Sequence, residues 1–170
     1  MRAPPAVFTT ATLASPVGEL AFALAADGAL AALVFAGREE LGRQLGAGAD
    51  AAADPARAEA RQVAAELRAY FAGELKEFAT PVAPAVGSEF QRRVWTALCR
   101  IPFGTTWSYA RLAAEAGGVA RAVGGANGAN PVSIIVPCHR VIGADGSLTG
   151  YAGGLERKRW LLRHEGVLLA

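Results

Sequence analysis

The sequence predicts an α/β chain in two parts. One is a small N-terminal α/β domain at residues 1–84, a β-hairpin-containing antiparallel sheet plus helix; the other is a mainly helical C-terminal domain at residues 85–170. Three observations predict this. Two apolar runs flank Asp27-Gly28 in "GELAFALAADGALAALVFAG", the arrangement of a β-hairpin. Beyond residue 88 the apolar residues recur with helical spacing. Between the two patterns, the prolines and glycine of "ATPVAPAVGS" (79–88) read as a linker.

In the first part, "ALAALVFA" (29–36) is the longest apolar run and reads as a buried strand. "GREELGRQLGAGADAAAD" is polar and small, a short helix followed by a loose loop. In "DPARAEARQVAAELRAYFAGEL", Asp54 is placed as N-cap and Pro55 as the first helical residue. Val63, Leu67, Tyr70 and Phe71 form the apolar stripe of that helix. Nothing in this half carries a chemical motif, and its role reads as structural.

In the second part, Ser88 and Gln91 make a capping-box pattern at the start of "SEFQRRVWTALCRI". Phe90, Val94, Leu98 and Ile101 share one face, and Cys99 beside them reads as a core residue. After the turn "PFGTTW", Ser108 caps "SYARLAAEAG", and Gly117-Gly118 turn into "VARAVGGANGAN". Helix, glycine turn, helix is a helix-turn-helix pattern. The second helix is nearly all small residues: Ala120, Ala122, Gly124, Gly125, Ala126, Gly128 and Ala129. Small residues let another surface come close, whether a second helix or a nucleic acid. With only Arg121, Asn127 and Asn130 as long polar groups, the helix suits a minor groove and sequence-independent contact better than a major groove.

Length and charge set further bounds. The chain has 170 residues, 52% hydrophobic, enough for a buried core. No apolar run approaches the roughly 18 residues that span a membrane, so no membrane role is expected. Pro4, Pro5 and the threonines after them interrupt any signal-peptide core, and the two cysteines have no disulfide-framework spacing. Both features point to a reducing, cytoplasmic location. Residues 1–84 carry 7 Lys+Arg and 10 Asp+Glu, a charge of −3, whereas residues 85–170 carry 10 and 5, a charge of +5. Only the second half suits a polyanion.

One tetrapeptide concentrates the chemistry. Cys138 lies between Pro137 and His139, with Arg140 following. The local sequence is compatible with a buried cysteine between the strand residues Val136 and Val141. It is equally compatible with a rigid thiol whose neighbouring imidazole and guanidinium favour the thiolate.

The wider pattern distinguishes them. "IPFGTTWSY", "RAVGGANGANP", "IIVPCHRVIGADGSLTGYAGGLERKRWLL" and "HEG" occur in this order between Phe90 and Gly166. Together they closely resemble the O6-alkylguanine-DNA alkyltransferase family. The resemblance implies a winged helix-turn-helix C-terminal domain and a role for each matching residue. Cys138 would be the alkyl acceptor, His139 the base working through a water, and Glu165 the carboxylate that orients the imidazole. Asn130 would be the hinge asparagine, and the Tyr109 hydroxyl would donate to the purine. Arg121 would fill the gap left by an extruded base, with Ala120, Ala122, Gly124, Gly125 and Asn127 lying along the DNA. Val141, Tyr151, Ser133, Gly153 and Trp107 would line the base pocket, and the carbonyls of Cys138 and Val141 would accept from the guanine amino group.

The implied activity is single-turnover transfer from O6-alkylguanine, or O4-alkylthymine, in double-stranded DNA. It needs no cofactor and a monomer suffices. Two departures stand out. The N-terminal half lacks the two cysteines and two histidines that hold zinc in some relatives, so no metal is expected. Ser133 stands where some relatives have proline, which changes one wall of the alkyl pocket. Two other readings remain. A non-catalytic lesion sensor of the alkyltransferase-like kind is opposed by Cys138. A cysteine hydrolase would have to expel its product from sulfur, which a thioether cannot do.

Overall fold

The computed structural model describes residues 6–46, 50–167 and 169, and it divides into two compact units at the 86/87 junction. No described helix is long and apolar enough to cross a membrane.

In the first unit, β1 (Val7–Leu13), β2 (Leu20–Leu24) and β3 (Leu30–Val34) form an antiparallel meander. The hairpin between β2 and β3 turns where the sequence places it. Gly28 takes a φ of +89°, which an L side chain rarely adopts, and the Asp27 carboxylate accepts from the Ala29 N–H at 3.0 Å. Every residue of β2 and β3 is buried, as the unbroken apolar runs require. One contribution to the core comes from α1 (Gly37–Leu45), whose Leu41 and Leu45 pack with Phe8, Ala21 and Val34.

Three expectations for this unit need correction. "DAAA" is not loop: β4 (Asp50–Ala53) adds to the sheet parallel to β1, giving the order β3-β2-β1-β4. Its four residues are all exposed, so only its backbone ladder holds it, and no hydrophobic period could announce it. The rest of that expected loop, at 47–49, lies outside the described residues, as do Pro4 and Pro5. Asp54 does not cap the next helix. Its carboxylate accepts from the Ala56 N–H at 3.2 Å, closing a turn around Pro55, and α2 (Ala58–Phe71) starts at Arg57 without a side-chain cap. Within α2, Val63, Leu67 and Tyr70 are buried, with Phe71 half-buried. Finally, residues 79–85 are no free linker. The Glu66 carboxylate accepts from the Thr80 N–H and hydroxyl, and Leu30 exchanges backbone bonds with Pro81 and Ala83 along the edge of β3.

The second unit contains α3 (Glu89–Leu98), β5 (Trp107–Ser108), α4 (Tyr109–Ala116), α5 (Ala120–Gly128), β6 (Val141–Ile142) and α6 (Leu155–His164). Ser88 and Gln91 close the capping box on α3, an arrangement worth about 1 kcal/mol. Val94, Leu98 and Ile101 are buried as the spacing predicts, together with Trp95, whose indole donates to the Ala126 carbonyl at 2.8 Å. Phe90 is half-buried. Cys99 is exposed, not core. It is the C-cap of α3, one step of about 100° round the axis from Leu98. Ser108 caps α4 through the Arg111 N–H at 3.1 Å, and Gly117 ends that helix at a φ of +75°, so α4 and α5 are joined by the expected glycine turn. β5 and β6 pair in parallel, with Trp107 opposite Val141.

Candidate active site

Cys138, His139 and Arg140 form a single 3₁₀ turn between Pro137 and β6. On a flat strand, Cys138 and His139 would point to opposite faces. The tight turn departs from that alternation, and all three side chains are buried, with Cys138 5% exposed and His139 0%.

Each of them has its own partners. The Cys138 thiol accepts from the Asn130 amide at 3.1 Å. Asn130 also donates to the Val136 carbonyl at 2.9 Å and accepts from the Val132 N–H at 3.0 Å, so one side chain ties the end of α5 to the segment that carries the thiol. His139 Nε2 lies 2.8 Å from Glu165 Oε1. Arg140 grips the same carboxylate at 2.8 and 3.0 Å and donates to the Ile101 carbonyl at 2.7 Å. Glu165 is the C-cap residue of α6, and its side chain is fully buried.

These contacts set the protonation states. Burial alone would raise Glu165, but the bonds from His139 and Arg140 more than reverse it and hold the carboxyl at about 2. Burial lowers His139 below its ordinary value, against the pull of Glu165, so the imidazole is neutral. With His139 neutral, Arg140 supplies the countercharge for Glu165. Nε2–H then donates to Glu165, leaving Nδ1 as an acceptor, and Nδ1 is buried with no hydrogen-bond partner among the described residues. Burial raises the Cys138 thiol, opposed by the Asn130 bond, the charge of Lys158 and the Tyr151 hydroxyl. Cys138 at rest is therefore a thiol that needs a base.

Lys158 lies within the quoted family pattern but is given no role by it, yet its ammonium sits in this site. It is fully buried on α6 and donates to the Val141 carbonyl at 2.6 Å and the Thr149 carbonyl at 3.1 Å, and burial pulls it down to about 8. Tyr109 donates its hydroxyl to the same Thr149 carbonyl at 3.2 Å. Tyr151 is half-buried, Val141 is buried, and Ser133 and Gly153 are half-buried. Trp107 is buried under the Arg111 guanidinium, which lies 4.5 Å from its ring.

The α5 face also divides. Ala120, Arg121, Ala122 and Gly125 are exposed and Gly124 is half-exposed, its Cα side facing the Tyr109 ring. Asn127 departs from the expectation of a DNA-facing side chain. It is 4% exposed, and its amide is directed at the Cys138 carbonyl at 3.4 Å. Six residues beyond Arg121, it is about 600° round the axis and so on the inner side of the helix. Among the described residues, no cluster of three or more His, Cys, Asp or Glu could hold a metal ion.

The family match lies within this unit, and the relatives extend beyond it. Residues 89–167 match the family described as 6-O-methylguanine DNA methyltransferase, DNA binding domain. The methylated-DNA–protein-cysteine methyltransferase of Salmonella typhimurium is 60% identical over 106 residues, 61% of this chain; the match spans 62% of that relative's own length. The protein of the same name from Methanosarcina acetivorans is 56% identical over 108 residues, 62% of this chain and 69% of that one. Among solved structures, the Mycobacterium tuberculosis O6-methylguanine methyltransferase superposes with a TM-score of 0.77 at 42% identity, covering 93% of this chain and 91% of that one. The same organism's protein in complex with DNA gives 0.80 at 43%, covering 93% of each.

Proposed function

The chain belongs to the O6-alkylguanine-DNA alkyltransferase family, and on that premise we propose that it repairs DNA by direct reversal. It binds duplex DNA through the exposed side of α5, extrudes an O6-alkylguanine and moves the alkyl group irreversibly to Cys138. The observation that carries this reading is a buried thiol next in sequence to an imidazole that has one nitrogen fixed on a carboxylate and the other buried and, among the described residues, without a partner.

The chemistry follows from those contacts. His139 Nδ1 takes the thiol proton through a bridging water, and Glu165 and Arg140 stabilise the imidazolium that results. The S–C bond forms as the C–O6 bond breaks, the electron pair leaves with the purine, and a proton returns to the purine to restore guanine. Tyr109 exchanges the Thr149 carbonyl for the purine and donates to it as negative charge develops. Arg121, exposed on α5, occupies the space vacated by the base, since O6 is unreachable inside the stack. Val141, Tyr151, Ser133 and Gly153 border the pocket, with Trp107 supporting Val141 from the paired strand. The protein acts as a monomer, without cofactor, in the reducing cytoplasm, where both cysteines stay free.

The thioether has no leaving group, so the protein is consumed. Duplex DNA carrying an isotopically labelled O6-methylguanine tests this: each protein molecule should take up one label and then stop. Continued turnover, or no transfer, would refute the proposal.

A further inference from the structure

The segment before Cys138 contains a backbone conformation that the transfer chemistry does not explain. Ile134 has a φ of +69°, and among the described residues it is the single non-glycine with a positive φ. The Ile135 N–H donates back to the Ser133 carbonyl at 2.8 Å, so Ile134 is the centre of a γ-turn of the strained, positive-φ form. For a β-branched residue that conformation is a genuine outlier. Three residues on, Pro137 has φ −83° and ψ 63°, and the Cys138 N–H donates to the Val136 carbonyl at 2.8 Å, a γ-turn of the unstrained form. The chain thus makes two three-residue turns in succession, and Cys138 is the last residue of the second.

Glycine would adopt the Ile134 conformation without strain. Isoleucine can hold it only because something outside the backbone does, and Ile134 is itself 1% exposed, with Val132 and Val136 on either side of it in the chain buried too. The two limbs of the turn are bracketed by one side chain. Asn130 donates to the Val132 carbonyl before the turn at 3.3 Å, to the Val136 carbonyl after it at 2.9 Å, and to Cys138 Sγ at 3.1 Å. The contact with sulfur therefore depends on the distance between Val132 and Val136, which the turn sets; the Val136 N–H closes that gap to the Val132 carbonyl at 3.1 Å.

We infer that Ile134 is a positioning residue for Cys138: its buried side chain locks the strained γ-turn, and the lock keeps the Asn130 amide on the acceptor sulfur. The inference rests on the proposed role of Cys138 but concerns the thiol itself, so its deciding readout does not need DNA.

The measurement is the pH dependence of Cys138 alkylation by iodoacetamide in the folded protein. The adduct is located by peptide mass so that Cys99 is counted separately. Ile134→Gly permits the turn but removes the lock. Its reaction midpoint should move up by about one pH unit as the Asn130 bond to sulfur loosens, with about tenfold less methyl transfer at neutral pH. Ile134→Val keeps the β-branch and should keep the wild-type midpoint. A wild-type midpoint in folded Ile134→Gly would overturn the inference, as would an equal shift in Ile134→Val. If Ile134→Gly does not fold, Ile134→Ala is read in the same way, with a smaller rise expected and an unchanged midpoint overturning it. A shifted midpoint in a protein whose wild type takes up no methyl would sink the repair function and leave this inference standing.

Discussion

His139 Nε2 stands 2.8 Å from Glu165 Oε1, with both side chains fully buried and 26 positions apart in the chain. The pair is made possible by Arg140, which neutralises the carboxylate so that the imidazole beside it can stay uncharged. A buried carboxylate with one neutral partner would be costly; with Arg140 on both its oxygens it is held ionised.

This arrangement predicts how stability responds to acid. Glu165 is held at about 2 in the folded protein against an ordinary value of 4.5, so its contribution is present above pH 4.5 and disappears as pH falls towards 2. His139 is depressed below 6.5, so the unfolded chain binds more protons than the folded one once pH drops under that value. Both effects have the same sign. Urea-unfolding midpoints should be flat just above pH 7, decline from about pH 6.5 and decline more steeply below pH 4.5. Rising stability on acidification through this window would contradict the assigned charge states.

Removing the carboxylate should separate packing from chemistry. Glu165→Ala leaves Arg140 buried without its countercharge and should cost roughly 3–5 kcal/mol of stability. Glu165→Gln keeps the shape and an acceptor for His139 Nε2–H. It should fold with a smaller loss while methyl transfer slows by about tenfold or more, because the imidazolium is no longer stabilised. Stopped-flow transfer and denaturant titration on both variants check this, and a Glu165→Gln protein with wild-type transfer would contradict the role given to the charge.

What the sequence reveals and what it hides follow from how each feature is encoded. The hairpin at Asp27-Gly28 and the capping box at Ser88 and Gln91 are local, so their residues announce them. The Cys138, His139 and Glu165 group is legible through the motif, because the family pattern links positions that the chain brings together only on folding. β4 is invisible, since four exposed residues of a small, weakly strand-forming type leave no periodic trace. The inward side of Asn127 is hidden because a helix of small residues has no apolar stripe to tell inside from outside. The place of Lys158 is hidden because lysine is rarely buried, and only its two carbonyl partners in the folded chain explain why this one is.

Arg121 is exposed on the outer side of α5, away from the Cys138 contacts, so its removal should affect extrusion alone. Arg121→Ala should react more slowly with matched duplex, by a factor set by the few kcal/mol of unstacking. Its rate on free O6-methylguanine should be near normal, with partial recovery when the lesion sits opposite a mismatch. Single-turnover rates on the three substrates check this. Equal losses on all three would mean that Arg121 supports the pocket or the fold.

Cys99, exposed at the end of α3, is predicted to be dispensable. Cys99→Ser should transfer at the wild-type rate and unfold within about 0.5 kcal/mol of it, the usual range for a surface change. A dead but stable Cys99→Ser protein would show that the second thiol takes part.

The central claim is that one particular sulfur receives the group. Incubation with duplex DNA containing O6-methylguanine, followed by proteolysis and peptide mass mapping, locates it directly. The peptide carrying Cys138 should gain about 14 Da once, one methyl in place of one proton. The peptide carrying Cys99 should gain nothing, and neither should any peptide of Cys138→Ser, which should still bind the duplex. A methyl group found on any other residue, or on Cys138→Ser, would contradict the claim.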